Sequence, residues 1–598
     1  MKDSDKFRES IAHAPLSESI VVQAGPGSGK TTLLIERLKY VIDERQKNYL
    51  GIGCITYTNA AKNQIISRLA KEGVQLPSNL FIGTIHSFLL DFVIKPYSHF
   101  FSGENAPFKL APFGFARNYK GDIAKMLKQP FYLIDNSTLG AFESLNRDKN
   151  GNPFCYRNKI PSDVAIWWKN LLKENGYIDQ QDIVYLSYLI LNRYEHVLNA
   201  LSVRFPYILV DEYQDVTYFQ EKLFLLLNRS RFFCVGDSNQ SIFEFTGAQP
   251  EVFKLKFDNK SYKSYKLSNN FRSAKHIIHF ANNKTDIEQI EAGPNGTSNQ
   301  KVILFKNIEE VSEVISLFHR IRGDINCDEG YKPYIILARK NKFIRHISNQ
   351  IKSNDIEPNM FLQKLKKEHY RCYKILYDIL LAILYRRENN FEQAIERIEE
   401  AFSYLIFNES PHFIKLASIG YNKFMWKKLQ VYTLQYLDSL TLSETAVAEL
   451  FKEMKYFISN LSKDLYGIPI GNKLRMLNYK WKNQVRASRG TTTSQLIDQL
   501  EIENNLSNSE GNVISIHNAK GQEAESVLVL AESKSQLDEW LALNNETEEA
   551  RVGYVAFSRA RSLLCVWAPL IEEKDYAYLK EDVVFIDNSY SLEEETVK

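Results

Sequence analysis

The amino-acid sequence predicts an α/β fold in which helices cover parallel β-sheets. In segment 19–35, SIVVQAGPGSGKTTLLI, an apolar β-branched run, a glycine-rich turn and a helical pattern follow one another. A second apolar run, YILV at 207–210, ends at two acids, Asp211 and Glu212. Continuous apolar runs are typical of strands buried in parallel sheets, which bind ligands at the carboxyl ends of their strands. Both turns are therefore candidate parts of one site.

Length and composition limit the class of protein. The chain has 598 residues, 44% of them hydrophobic and 25% charged, which is typical of a folded protein with several domains. The 75 Lys and Arg residues nearly balance the 72 Asp and Glu residues, so any surface that binds a polyanion must be a local patch. The six cysteines lie far apart, the start MKDSDKFRES lacks an apolar signal core, and no apolar run is long enough to cross a bilayer. We expect a cytoplasmic protein with no membrane partner.

The glycine-rich turn AGPGSGKT matches a Walker A element, except that Ala24 occupies the first glycine position. Its glycines let backbone N–H groups approach phosphate oxygens at the amino-terminus of the following helix. Lys30 is expected to reach the β- and γ-phosphates, and the hydroxyl of Thr31 to bind Mg²⁺. The predicted nucleotide-binding residues are Ala24, Gly25, Gly27, Ser28, Gly29, Lys30, Thr31 and Thr32.

The acids that follow the run 207–210 supply a second part of the predicted site. Asp211 would coordinate Mg²⁺, and Glu212 would orient or deprotonate the water that attacks the γ-phosphate. A third apolar strand, beginning at Phe232, leads into the turn GDSNQSIFEFTGA, which contains Gln240. The glycine-rich turn and the acid pair together predict hydrolysis of a nucleoside triphosphate.

The segments AGPGSGKT, VDEYQD and VGDSNQSIFEFTGA, in that order, resemble the motor core of the UvrD/Rep/PcrA family of superfamily 1A DNA helicases. Five further motifs of the family follow in the expected order, at 55–69 (ITYTNAAKNQIISRL), 82–88 (IGTIHSF), 267–273 (LSNNFRS), 513–530 (VISIHNAKGQEAESVLVL) and 548–567 (EEARVGYVAFSRARSLLCVW). By these eight motifs the chain is identified as a member of the family.

The resemblance implies two RecA-like P-loop motor domains with parallel sheets, each carrying a mainly helical insertion. The implied boundaries are 1–88 and 200–272 for motor domain 1A, 89–199 for insertion 1B, 273–350 and 505–590 for motor domain 2A, 351–504 for insertion 2B, and 591–598 for an acidic tail. Within 2B, segment 471–490 carries six Lys and Arg residues and no acid. That segment is either a contact for DNA or a partner, or a solvated helix face.

The resemblance also implies roles for single residues. Gln240 would sense the γ-phosphate, and Glu523 would contact the ribose of the nucleotide. Arg272 and Arg559 would act as arginine fingers, whose guanidinium groups neutralise the charge that develops on the transferred phosphoryl group. The implied catalytic set is Lys30, Asp211, Glu212, Gln240, Arg272 and Arg559. The implied DNA-binding set is Thr56, Asn59, Thr84, His86, Phe245 and His517.

The resemblance implies an ATP-dependent and Mg²⁺-dependent helicase that moves 3′ to 5′ on single-stranded DNA and unwinds tailed duplexes. It would serve DNA repair, recombination or anti-phage defence. A second hypothesis is a DNA-responsive ATPase switch without processive unwinding. The general arrangement also resembles the GajB-type helicases of Gabija anti-phage systems, which work with a separate OLD-family nuclease. An RNA helicase is a third alternative.

Two departures from the family pattern motivate these alternatives. Phe7 stands before the Arg8–Glu9 pair, where the family has a glutamine that reads adenine, so the choice between ATP and GTP stays open. Phe245–Thr246 replaces a Trp–Arg pair. The aromatic ring can still stack on a base, whereas the polar contact of the arginine is lost.

Overall fold

The computed structural model describes residues 2–44, 50–102, 108–111, 114–155, 160–244, 247–282, 289–291, 301–323, 332–352, 370–387, 391–407, 431, 434–436, 496, 513–542 and 545–590. Backbone contacts divide the chain into two units, residues 1–347 with 513–598, and residues 348–512. No helix in the described ranges is long and apolar enough to span a bilayer. The domain boundaries implied by the sequence motifs stay predictions.

The larger unit contains two six-stranded sheets whose paired strands are all parallel. The strands of the first sheet are β1 (Ile20–Ala24), β2 (Ile52–Thr56), β3 (Leu80–Thr84), β4 (Tyr207–Val210), β5 (Arg231–Gly236) and β6 (Lys263–Leu267). Their spatial order is β6-β1-β5-β4-β2-β3. The glycine-rich turn, the Gln240 turn and the acid pair follow β1, β5 and β4, so three neighbouring strands bring them to one edge.

Alternate side chains of these strands bury against helices on opposite faces of the sheet. Val22 and Leu209 pack with Leu34 of the helix that follows the glycine-rich turn. Val21 and Ile208 belong to a separate core on the other face. Burial on both faces explains the uninterrupted apolar runs in the sequence. We call the part of the larger unit built on this sheet the first half, and the part built on the other sheet the second half. The helices of the first half are Lys2–Ala12, Lys30–Glu44, Asn59–Lys71, Ile85–Leu89, Glu195–Arg204, Tyr218–Leu226 and Pro250–Phe257.

The segment that follows Ile85–Leu89 continues through a π-helical turn, Leu90–Ile94, into a mainly helical region. This region has its own apolar core, which includes Phe142, Trp168 and Leu172. Segment 176–191 has the amphipathic pattern of a helix, and the structure forms the helix Gln180–Arg193 there. The other helices and helical turns are Lys95–Tyr97, His99–Ser102, Phe115–Tyr119, Lys120–Met126, Phe131–Leu133, Asn136–Glu143 and Ser162–Glu174.

The strands of the second sheet are β7 (Val302–Phe305), β8 (Lys332–Ala338), β9 (Val513–Ser515), β10 (Ala524–Leu530), β11 (Ala560–Trp567) and β12 (Val583–Ile586). Their spatial order is β9-β8-β10-β11-β7-β12. Its helices are Lys275–Asn282, Val311–Arg322, Asn341–Lys352, Lys534–Trp540 and Glu548–Phe557. The predicted α/β fold with parallel sheets is therefore confirmed, and two such sheets are consistent with two RecA-like domains.

In the smaller unit, the described helices Tyr370–Arg387 and Phe391–Phe407 pack against each other. Asp378 is buried between them and forms ion pairs with Lys374, at 2.6 Å, and with Arg397, at 3.6 Å. The basic segment 471–490, named above as a candidate contact, lies outside the described residues.

Candidate active site and nucleic-acid track

The glycine-rich turn joins β1 to the helix that begins at Lys30, and its backbone conformation favours glycine at two positions. Gly27 and Gly29 have φ angles of +69° and +82°, a region that other residues rarely adopt. A Cβ atom on Gly25 would lie 1.8 Å from Nε2 of Gln289. The turn is therefore narrow and presents its own backbone, as a phosphate-binding loop must.

Neighbouring side chains hold this turn in shape. Ala24 is the buried last residue of β1. The hydroxyl of Ser28 donates a hydrogen bond to the carbonyl oxygen of Gly25 at 2.7 Å. One turn into the helix, the hydroxyl oxygen of Thr32 accepts a hydrogen bond from Arg68 at 3.2 Å. The predicted turn residues thus have structural partners as well as their proposed role toward a nucleotide.

The ammonium group of Lys30 is the feature that points to an anionic ligand. Its Nζ atom is buried and makes no hydrogen bond within the described residues, so a phosphate oxygen would supply the acceptor that it lacks. No group of three or more His, Cys, Asp or Glu side chains in the described ranges could hold a metal. Mg²⁺ commonly takes one or two protein oxygens together with substrate phosphates. Thr31 and Asp211 fit that kind of partial ligand set.

The acid pair follows β4 in a strained turn. Asp211 is buried, and its backbone N–H donates to the carbonyl oxygen of Ile55 at 2.9 Å. Glu212 has a φ angle of +50°, in the left-handed region that costs energy for a residue with a side chain. Gln214 donates a hydrogen bond to its carboxylate, and the Oε1 atom of Gln214 accepts one from the N–H of Asp237 at 2.9 Å. The surroundings thus fix the direction of the Glu212 carboxylate.

The two acids have opposite electrostatic environments. Burial and the neighbouring charge of Glu212 raise the pKa of Asp211 to about 7. Burial alone would raise the pKa of Glu212 as well, but the charges of Lys30 and Lys520 and the hydrogen bond from Gln214 lower it to about 2. Glu212 is therefore ionised at neutral pH and can accept a hydrogen bond from water.

Two arginines from the part of the chain that follows β6 face these turns. The N–H of Phe271 donates to the carbonyl oxygen of Gly27 at 2.8 Å, which brings the next residue, Arg272, beside the glycine turn. Arg559 is 2% exposed, and its Nη2 lies 3.4 Å from Oε1 of Gln240. Burial and the charge of Arg272 lower the pKa of Arg559 to about 9, so it keeps its charge at neutral pH.

The remaining predicted members of the site contact one another. Glu523 forms an ion pair with Arg272, whose Nη1 also donates to the carbonyl oxygen of Ser558 at 3.2 Å. Gln240 donates from Nε2 to the carboxylate of Asp237 at 2.6 Å. The structure therefore brings the predicted catalytic residues and Glu523 into one cleft.

Sequence reasoning missed Lys520, the lysine of the motif KGQE. Its ammonium group forms an ion pair with Asp215, lies 3.8 Å from Oε2 of Glu212, and donates to the carbonyl oxygen of Gln240 at 2.9 Å. It also lies 5.0 Å from the ring centre of Phe243. The signal was its place three residues before Glu523, in a segment already assigned to the site.

Four predicted DNA-binding residues lie at the ends of β2 and β3. Thr56 and Thr84 are register partners at the carboxyl ends of these strands. The hydroxyl of Thr56 donates to the carbonyl oxygen of Thr58 at 3.0 Å, and Asn59 begins the next helix as an exposed residue. Thr84 caps the helix that contains His86, and burial lowers the pKa of His86, which favours its neutral imidazole.

The other two predictions have different outcomes. His517 lies in an aromatic group with Phe243 and Tyr57, in which Tyr57 and Phe243 stack at 5.1 Å and Phe243 meets His517 edge-on at 5.7 Å. Tyr57 and Phe243 were not in the predicted DNA-binding set, although both stand in quoted motifs. Phe245 lies outside the described residues.

Comparison with known proteins agrees with this architecture. Two family models match, the UvrD/REP helicase N-terminal domain over residues 4–263 and the UvrD-like helicase C-terminal domain over residues 358–568. The ATP-dependent DNA helicase Rep of Buchnera aphidicola subsp. Schizaphis graminum is 24% identical over 93% of this chain and 92% of that protein. The probable DNA helicase II homolog of Mycoplasma genitalium is 25% identical over 92% and 82%. The ATP-dependent DNA helicase PcrA of Staphylococcus aureus is 23% identical over 92% and 80%. The chain belongs to the UvrD/Rep/PcrA-type family of superfamily 1A ATP-dependent DNA helicases.

Proposed function

We propose that this chain couples ATP hydrolysis to 3′-to-5′ movement along single-stranded DNA and so unwinds tailed duplexes. The observation that supports the proposal most is the pair of contacts between the two sheet-bearing halves. Arg559 reaches Gln240 at 3.4 Å, and Lys520 forms an ion pair with Asp215 beside the acid pair. A nucleotide in this cleft would touch both halves, so its binding and hydrolysis can change how they close.

On the nucleotide side, each residue acts through position and charge. Lys30 would bind the β- and γ-phosphates, while Thr31 and Asp211 would hold Mg²⁺, which neutralises phosphate charge when bound. The ionised carboxylate of Glu212 would orient the attacking water. Arg559 brings a buried positive charge toward the group being transferred, a contribution of about 10³ to 10⁵ in rate for arginine fingers.

On the nucleic-acid side, the aromatic group supports binding that does not depend on sequence. Tyr57, Phe243 and His517 form one aromatic group, and stacking of a base on an aromatic ring contributes about 1 to 3 kcal/mol per base. Phe243 lies three residues after Gln240 in the same turn. One short segment therefore links the predicted γ-phosphate sensor to the stacking platform.

The test is ATPase activity with and without single-stranded DNA, with Glu212→Gln as the hydrolysis-deficient control. We expect clear stimulation by DNA in the unaltered protein and loss of turnover with retained nucleotide binding in the variant. Strand displacement is then compared on duplexes with 3′ or 5′ tails. Unwinding from the 5′ tail alone would contradict the polarity, and equal stimulation by RNA would contradict the preference for DNA.

We place the activity in the cytoplasm, in DNA repair, recombination or anti-phage defence. The alternative of a DNA-responsive ATPase switch that regulates a separate nuclease rests on the departures at Phe7 and Thr246. Copurification of a nuclease, together with weak unwinding by the isolated chain, would favour the switch. Efficient unwinding by the isolated chain would favour the helicase.

A further inference from the structure

A buried arginine of the second half grips the segment that links Gln240 to the aromatic group. Arg551 lies in the helix Glu548–Phe557 and is 5% exposed. Its Nε donates to the carbonyl oxygen of Ser241 at 2.7 Å, and its Nη2 forms an ion pair with the carboxylate of Glu244. Its Nη1 donates to two carbonyl oxygens of its own half, those of Asn545 at 2.8 Å and Glu546 at 2.9 Å. One planar guanidinium group thus joins the two halves.

The segment that Arg551 contacts, 241–244, also packs into the second half. Ile242 is fully buried and belongs to the apolar core of the second sheet, together with Val552 of the arginine-bearing helix. Ser241 is also fully buried, and its hydroxyl donates to the carbonyl oxygen of Gln214 at 3.1 Å. The segment is therefore anchored at its start, and Glu244 is its last residue, which in the sequence precedes the expected stacking residue Phe245.

This helix and the arginine that follows it contact the segment and the residue just before it. Arg551 stands near the amino-terminus of the helix, and Arg559 follows eight residues later, just beyond its end. Arg559 contacts Gln240, just before the segment, and Arg551 contacts Glu244 at its end. The helix carries a contact on the nucleic-acid side and leads directly into a contact on the nucleotide side. It is therefore suited to link nucleic-acid binding to ATP hydrolysis.

We propose that the Glu244–Arg551 ion pair is a positioning contact that couples occupancy of the nucleic-acid track to ATP hydrolysis. This rests on the function proposed above. When DNA binding shifts segment 241–244, the ion pair moves the helix Glu548–Phe557 and with it Arg559. Neither residue touches the reacting atoms, so the pair sets how strongly DNA stimulates turnover without itself taking part in the chemical step.

The charge of Glu244 is the replaceable part of this contact. Without it, Arg551 keeps its three backbone carbonyl acceptors and the helix keeps its apolar core, so the fold has little reason to change. The other acids at the start of the helix, Glu548 and Glu549, are paired with Arg339 at 3.8 Å and 2.8 Å. They do not take over the role of Glu244.

The experiment compares the intact chain with Glu244→Ala and Glu244→Gln, and uses Glu251→Ala as the matched control. Glu251 is an exposed carboxylate on the same half, in the first turn of the helix Pro250–Phe257. ATP turnover is measured without DNA and with increasing amounts of an oligothymidine. This yields basal kcat, stimulated kcat, KM for ATP and the oligonucleotide concentration that gives half of the full stimulation.

We expect Glu244→Ala to lower the DNA-stimulated kcat about tenfold, within the range of coupling between contacting residues, with basal kcat and KM for ATP unchanged. Glu244→Gln keeps a hydrogen bond without the charge and should lose less, and Glu251→Ala should match the intact chain. Equal loss of basal and stimulated kcat in Glu244→Gln, or unchanged stimulation in Glu244→Ala, overturns the proposal. If the intact chain is not stimulated by DNA at all, the proposed function itself fails.

Discussion

The buried ion pair between Lys520 and Asp215 gives the sharpest test of how the two halves are held together. Asp215 is fully buried, and its pKa is raised to about 6 by burial, even though Lys520 opposes the shift. The unfolded value is about 3.9, so keeping this carboxylate ionised at neutral pH already costs on the order of 3 kcal/mol. Lys520→Met removes the partner and leaves an uncompensated buried charge, which costs about 3 to 5 kcal/mol.

The sign of the pH dependence follows from the raised pKa. The folded state binds the proton of Asp215 more tightly than the unfolded state does, so its destabilising effect grows as the pH rises from about 4 through the folded pKa near 6. Loss of Lys520 raises that pKa further. We therefore expect Lys520→Met to lose the most stability, relative to the unaltered chain, above pH 7. The loss should shrink toward pH 5, where Asp215 is protonated in both the variant and the unaltered chain.

Hydrogen exchange of the backbone amides at 211–217, with thermal unfolding as a second measurement, tests this reasoning. If the free energy of local opening falls by about 3 kcal/mol, these amide hydrogens exchange about 100-fold faster. The double variant Lys520→Met with Asp215→Asn removes both charges and should recover most of the protection, because replacing a whole buried ion pair is often close to neutral. A double variant as unprotected as Lys520→Met alone would show that packing, and not charge, sets the loss.

Three further predictions concern the nucleotide and nucleic-acid sites. Lys30→Ala should abolish ATP hydrolysis, because it removes the ammonium group that would bind the phosphates, and should lower the thermal midpoint, because the charge of Lys30 compensates the buried carboxylates of Asp211 and Glu212; hydrolysis at the unaltered rate would contradict the assignment. Arg559→Ala should lower kcat about 10³-fold or more while nucleotide affinity, measured with a fluorescent analogue, changes much less. Tyr57→Ala should weaken single-stranded DNA binding by about 1 to 3 kcal/mol in fluorescence anisotropy, independently of sequence, and equal affinity would remove Tyr57 from the track.

The sequence alone predicts the first half of the site well because each of its three turns directly follows a strand of one parallel sheet, although the spatial order of these strands differs from their order in the chain. Each of the three turns follows an apolar run, and parallel strands carry such turns to the same sheet edge. The backbone of Glu212, at a φ angle of +50°, could not be predicted, since local preference opposes it. Lys520 and Gln289 escaped prediction for another reason. Each reaches the site only after two distant parts of the chain pack together; Gln289 lies in no motif, and the motif that contains Lys520 does not show which side chains its ammonium group contacts.

Phe7 stands where the family has a glutamine that reads adenine, and this replacement should change how strongly the protein discriminates between ATP and GTP. The helix Lys2–Ala12 borders the glycine turn, because Nη1 of Arg8 lies 3.7 Å from the position of a Cβ atom on Gly29. Phe7, the preceding residue, is 46% exposed and contacts only the edge of Tyr265, at 6.2 Å, among the aromatic contacts of the described residues.

A phenyl ring can stack on a purine but cannot read its hydrogen-bonding edge, and discrimination by a factor of about 10⁴ requires buried polar groups that are left unpaired by the wrong ligand. We therefore expect kcat/KM for GTP to lie within about tenfold of that for ATP. Phe7→Ala should raise KM for both nucleotides to a similar degree, and Phe7→Gln should favour ATP. A preference for ATP above about 100-fold in the unaltered chain would mean that a different group reads the base.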